Sequence, residues 1–127
     1  MAIRSFDWHG FSLAALRIAS GLLLVQHGTA KLFGFPGGER ATIDLNTLVG
    51  WSGPIELVGG LLMIFGLFTR PAAFILSGFM AAAYFIGHAS RGLFPLLNGG
   101  ELAALYCFVF LYLSVAGPGM LALDNRR

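Results

Sequence analysis

Four apolar stretches, each parted from the next by glycine and proline, limit this chain to very few folds. They cover about residues 11–33, 53–68, 72–90 and 100–116. A helix that crosses the hydrocarbon core of a bilayer needs about 20 apolar residues, so four such segments consume most of the 127 residues and leave little for a soluble domain. Composition points the same way: 57% of the residues are apolar and 11% charged, against roughly 25% charged in soluble domains. Strands are disfavoured because an open sheet cannot satisfy its edges in lipid. The expected fold is therefore all-α: one antiparallel four-helix bundle spanning residues 1–127, integral to a membrane, with the lipid bilayer as its main partner.

The breaks define the threading. Gly34-Phe-Pro-Gly-Gly38 ends the first span, because proline removes a backbone donor and adjacent glycines hold no regular conformation. The stretch from Glu39 to Gly50 is too short to span. It reads either as a short amphipathic helix, with Ala41, Leu45, Leu48 and Val49 at helical spacing, or as a tethered loop. The second span opens at Ser52-Gly-Pro54, where a first-turn proline is acceptable. Thr69-Arg70-Pro71 leaves so short a turn that the third span must run back antiparallel, and Gly117-Pro118-Gly119 closes the fourth. A cleaved signal peptide is the rival reading of the first segment. Arg17 before its core and His27 and Lys31 after it favour a retained helix.

Several function classes drop out. The formal charge of +2 arises from eight scattered basic residues whose only run is Arg126-Arg127, so nucleic-acid binding has no support. Cys107 is the single cysteine, which excludes an internal disulfide, a CxxC redox pair and a cysteine metal cage. An even number of spans puts both termini on one side with Arg4, Arg70, Arg126 and Arg127, while Arg40 and Arg91, with Lys31 close by, lie on the other. The positive-inside rule then places both termini in the cytoplasm.

Threading the chain also gathers its polar residues. His27 and Lys31 end the first span, Glu56 opens the second, His88 ends the third, and Asn98 and Glu101 open the fourth. All lie toward the side opposite the termini. Lys31 shares a helix face with His27, and Arg17 falls within about 40° of that face at 3.6 residues per turn. Charges at membrane depth cost several kcal/mol unless paired, so the expected pairs are Lys31 with Glu56, and Arg17 or His88 with Glu101. Competing readings exist for each. Glu56 and Glu101 sit where a carboxylate can cap a helix start, Lys31 can snorkel to the headgroups, and His27 and His88 can be ordinary hydrogen-bonding histidines. A metal site is disfavoured because no Glu-x-x-His pairs occur and basic residues lie nearby. Trp51, Tyr84, Phe94, Tyr106 and Tyr112 read as interfacial anchors, with stacking on a flat ring as the alternative.

These residues resemble the DoxX-type family of small four-helix membrane proteins, found mainly in bacteria and archaea. The likeness runs from about Leu13 to Asp124. It is carried by Arg17 and Gly21 with His27-Gly28 and Lys31, by Pro54-Ile-Glu56-Leu with Gly59-Gly60 and Gly66, by Thr69-Arg70, by Asn98-Gly-Gly-Glu101-Leu-Ala, and by Gly117-Pro118-Gly119 with Asp124. The resemblance implies a redox-associated role. The family takes its name from a subunit linked to thiosulfate oxidation with electron delivery to quinone, and other members are associated with quinone or thiol stress and with membrane oxidoreductase complexes.

The expectation is an inner-membrane protein that binds a quinone or a sulfur oxyanion in a polar pocket at the non-cytoplasmic end. Arg17, Lys31, Gln26 and Asn98 would bind the substrate. His27 and His88 would supply protons, a task suited to a group that titrates near neutrality, and Glu56 and Glu101 would orient them. Quinone is the candidate cofactor, and no motif for a covalent one is visible. The alternatives are a non-enzymatic subunit or scaffold of an oxidoreductase complex, a homo-oligomer built through glycine-rich faces, and a small oligomeric carrier.

Overall fold

Asp7 opens the first helix. Its carboxylate accepts from the Gly10 amide at 2.9 Å, satisfying one of the free donors of a helix start, and α1 runs Trp8–Phe33. The computed structural model describes residues 5–37 and 48–126. Over these the chain forms α2 (Leu48–Phe65), α3 (Thr69–Gly87), the single turn α4 (Pro95–Asn98) and α5 (Glu101–Ala116), with 3-10 turns at Ala89–Arg91 and Leu123–Arg126. No strand occurs among the described residues. Arg4, Arg40, Arg127 and most of the segment expected to be a surface helix or loop lie outside them.

Helix boundaries differ from expectation at two places. The second helix begins at Leu48, so Pro54 lies inside it rather than in its first turn, and Glu56 sits two turns in. That removes the capping role considered for Glu56. The hairpin turn falls at Gly66–Phe68 instead of Thr69–Pro71. Gly66 takes a left-handed conformation (φ 65°), its amide bonding Met63 O while Leu67 N reaches back to Leu62 O. This glycine-dependent closure ends α2 one turn earlier than the Thr-Arg-Pro signal suggested.

Antiparallel pairing organises the rest. α1 packs along α2 and α3 along α5, with narrower seams between α2 and α3 and between α1 and α5. Glycine sets the α1–α2 distance. A Cβ on Gly28 would stand 2.6 Å from the Leu57 amide nitrogen, and one on Gly21 2.8 Å from the Gly60 carbonyl oxygen. Backbones this close gain dispersion contacts that a larger side chain would forbid. Gly78 has no such neighbour and faces outward.

Leu24, Met63, Leu76, Phe110 and Leu113 form the centre of the core. The outer surface is equally apolar: Leu23, Val58, Leu61, Phe65, Phe74, Ile75, Phe85, Phe108 and Val115 are all exposed. Among the described residues, Trp8–Phe33 and Thr69–Arg91 are long and apolar enough to cross a membrane, while Gly50–Phe65 and Glu101–Ala116 are apolar but shorter.

The segment that follows α5 packs back on the bundle. Met120 N bonds Gly10 O at 3.1 Å, and Asp124 N bonds Gly66 O at 2.9 Å. The Asp124 carboxylate accepts from Phe68 N and Thr69 N at 2.8 and 2.9 Å, capping α3 from far along the chain. The segment after α5 thus straps the starts of α1 and α3 to the end of α2.

Candidate functional site

At the end opposite the strap, the C-terminal turns of α1 and α3 meet the beginnings of α2 and α5 around a cavity of about 230 Å³. Its polar lining is His27 and Lys31 from α1, Glu56 from α2, His88 after α3 and Tyr106 from α5; Leu24, Met80 and Leu102 are among its apolar walls.

Lys31 Nζ donates to Glu56 Oε1 at 2.7 Å, the pair expected from the sequence. The carboxylate is buried, with its side chain 8% exposed, whereas that of Lys31 is 34% exposed. Among the described residues, Glu56 Oε2 and the Tyr106 hydroxyl have no hydrogen-bond partner, and neither has the Thr69 hydroxyl at the start of α3, away from this cavity. Buried polar atoms are nearly always satisfied, so two orphans on one cavity wall require explanation. Tyr106 is held rigidly: its ring stacks on Phe110 at 5.5 Å, and the His27 ring meets it edge-on at 6.3 Å. Its burial also rules out the interfacial anchor considered for it. The sequence signal that could have singled it out is helical spacing, since Tyr106, Phe110 and Leu113 form one buried face of α5.

His88 Nδ1 lies 3.2 Å from the Asn98 carbonyl oxygen. A carbonyl only accepts, so Nδ1 carries the proton of the neutral ring and Nε2 is left with a lone pair. Asn98 is 1% exposed and fully engaged: Nδ2 donates to Tyr84 Oη and Gly92 O, both at 3.1 Å, and Oδ1 accepts from Gly100 N at 2.8 Å. Its side chain orders the α3–α5 connection and has no donor left for a substrate.

Three more of the expected site residues stand elsewhere. Gln26 is exposed and does not line the cavity. Glu101 is exposed at the first position of α5, beside a separate hollow with Pro95, Leu96 and Leu105, and is paired with neither Arg17 nor His88. Arg17 points to the strapped end. All five of its N–H donors are used by carbonyl oxygens: Nε by Pro118 at 2.8 Å, Nη1 by Met63 and Ile64 at 2.6 and 2.9 Å, and Nη2 by Met120 and Leu121 at 2.8 and 3.0 Å. With 0% exposure, this guanidinium is a structural clamp and not a substrate ligand. Facing residues on α1 gave the right helical stripe but not the direction in which a long side chain bends to find carbonyls.

An outer groove of about 530 Å³ between α2 and α3, lined by residues such as Trp51, Val58 and Ile75, is almost wholly apolar and offers no reacting group. Among the described residues, no three His, Cys, Asp or Glu side chains gather as a metal ion would need.

The sequence model of the DoxX family matches residues 12–89. The chain belongs to the DoxX family. The match spans α1 to α3 and so includes Arg17, Lys31, Glu56 and His88. As a DoxX-family chain it is a membrane protein. It is 51% identical to an uncharacterized protein of Haemophilus influenzae over 91% of this chain and 90% of the relative. It is 30% identical to the Bacillus subtilis protein named "Putative oxidoreductase CatD" (86% and 81% covered), and 27% identical to the Escherichia coli inner membrane protein YphA (90% and 89%). No solved structure matches the chain significantly.

Proposed function

We propose that this protein is a redox-associated inner-membrane protein that binds a quinone-type head group in the cavity between α1, α2, α3 and α5. One observation carries the reading: Glu56 and Tyr106, whose Oε2 and hydroxyl are buried and without a partner among the described residues, both line the same cavity. A ligand with oxygen atoms on a flat apolar ring satisfies both and fills the space between the Leu24, Met80 and Leu102 walls. His27 and His88 stand beside it as proton-exchanging groups, consistent with a ligand whose redox change involves protons. The name of the Bacillus subtilis relative adds support for oxidoreductase chemistry.

A sulfur oxyanion fits less well. Arg17 is spent on carbonyls, Lys31 is neutralised by Glu56, and a free carboxylate oxygen repels an anion. In this reading all four long helices lie in the bilayer. The exposed Val58, Leu61 and Phe65 of α2, and Leu105, Phe108 and Val115 of α5, coat the shorter helices as apolarly as the longer ones, which water would penalise. Both termini then face the cytoplasm, and the cavity opens toward the other side; reporter fusions at each end test this.

The binding test uses purified protein in nanodiscs, titrated with a short-chain quinone and separately with thiosulfate. Ala103 also lines the cavity, and saturable quinone binding that disappears when Ala103→Phe fills it is the expected result. Failure to bind, or binding indifferent to Ala103→Phe, sinks the reading.

A further inference from the structure

We propose, resting on the quinone-site reading above, that the cavity selects the reduced, hydroxyl-bearing form of its ligand, with Glu56 as the residue that sets this preference.

The argument starts from what each orphan can do. Lys31 Nζ reaches Glu56 Oε1 at 2.7 Å, and an ammonium donating at that distance marks an ion pair, in which the carboxylate is ionised. An ionised carboxylate accepts and never donates. Its second oxygen, Oε2, is buried and accepts no hydrogen bond among the described residues, so it calls for an N–H or O–H from whatever fills the cavity. The Tyr106 hydroxyl both donates and accepts, and therefore does not discriminate.

The two redox forms of a quinone differ in this respect. A quinone presents two carbonyl oxygens, which only accept. Set against Oε2, such an oxygen leaves the carboxylate unsatisfied and opposes one negative oxygen to another. A quinol presents two hydroxyls. One donates to Oε2, and the same ring still accepts from Tyr106. The two forms have nearly the same shape, so packing against Leu24, Met80 and Leu102 contributes alike to both. Space is sufficient: a cavity of about 150 Å³ holds benzene, and this one is about 230 Å³. The hydrogen bond at Oε2 is thus the main difference between the two forms. A buried acceptor left without its donor weakens binding by roughly fivefold to a hundredfold.

Tetramethylhydroquinone and tetramethylbenzoquinone are suitable probes, because the ring methyls block addition by the Cys107 thiol. Each is titrated under argon into the full chain in nanodiscs by calorimetry. The quinol is expected to bind roughly ten times more tightly than the quinone, within the range given by a missing hydrogen bond. Glu56→Gln, whose amide can turn either a donor or an acceptor to the ligand, should shrink the gap to about twofold. Tyr106→Phe should weaken both forms and leave their ratio as it was. Equal affinities in the unmutated protein, or tighter binding of the quinone, overturn the inference without reference to any variant. If neither form binds, the quinone-site reading itself fails and the inference falls with it.

Discussion

Arg17 and Lys31 both enter the bundle from α1, and the protein treats them in opposite ways. At the strapped end, Arg17 has five donors and meets five carbonyl oxygens drawn from the end of α2 and the segment after α5. At the cavity end, Lys31 satisfies one oxygen of Glu56, while the other oxygen and the nearby Tyr106 hydroxyl have no partner among the described residues. A polar network in low dielectric is rigid when complete and costly when incomplete. The complete one holds three chain segments together. The incomplete one calls for a further partner, and the ligand proposed above would supply it.

The largest test of this contrast is Arg17→Met. Hydrogen bonds from a charged donor contribute about 1.5–3 kcal/mol each, though not additively. Five of them approach the roughly 5–15 kcal/mol that stabilises a whole domain. Little monodisperse protein should be recovered after Arg17→Met. Arg17→Lys, with three donors on a narrower head, should fold but melt well below the parent. A normal melting curve for Arg17→Met would show that the carbonyls find other donors and that the clamp is not what closes this end.

How much of this was readable beforehand follows from the same two residues. The Lys31–Glu56 pair was legible, because alternating helix direction places the end of one helix beside the start of the next, and both charges then have one obvious partner. Arg17 was not. Its polar stripe on α1 was correct, but its partners are backbone carbonyls, and four of its five acceptor residues come from beyond position 63. Carbonyls released at helix ends leave no mark in a sequence. Asp124 was hidden for a similar reason, since capping α3 from a distant strap has no local motif. Tyr106 was visible as an aromatic residue, but its missing hydrogen bond exists only in three dimensions.

Lys31→Met is the next largest perturbation. It strands a buried carboxylate, a loss of about 3–5 kcal/mol for a fully buried pair, and the low end applies here because the lysine is one-third exposed. The double variant Lys31→Met/Glu56→Met should regain most of that loss, because an apolar pair needs no partner at all. Denaturation in mixed micelles measures both. If the double variant is no better than the single one, the pair is part of a larger network and the two ends of the molecule are less different than they look.

A smaller effect is expected at the strap. Asp124→Ala uncaps the Phe68 and Thr69 amides and should lower stability by about 1–2 kcal/mol. The loss should be larger than for Asp7→Ala, whose carboxylate serves the single Gly10 amide. Hydrogen exchange should localise the change to the first turn of α3. Exchange spreading through α1 would mean that the strap and the Arg17 clamp open together.

Tyr106→Phe should have the least effect on stability and discriminates most sharply between the two ends. The hydroxyl is buried and bonds to nothing described, so removing it deletes an unsatisfied group while keeping the stack on Phe110 and the edge contact with His27. An unmade hydrogen bond costs about 1–3 kcal/mol, part of which the phenylalanine avoids, so the apo protein should be unchanged or slightly more stable. Ligand binding should weaken in the same protein. A group that natural packing leaves unsatisfied, whose removal helps the fold and harms binding, is held for the ligand. If instead Tyr106→Phe destabilises the apo protein, a trapped water completes the hydroxyl, and Tyr106 is as fully bonded as Arg17.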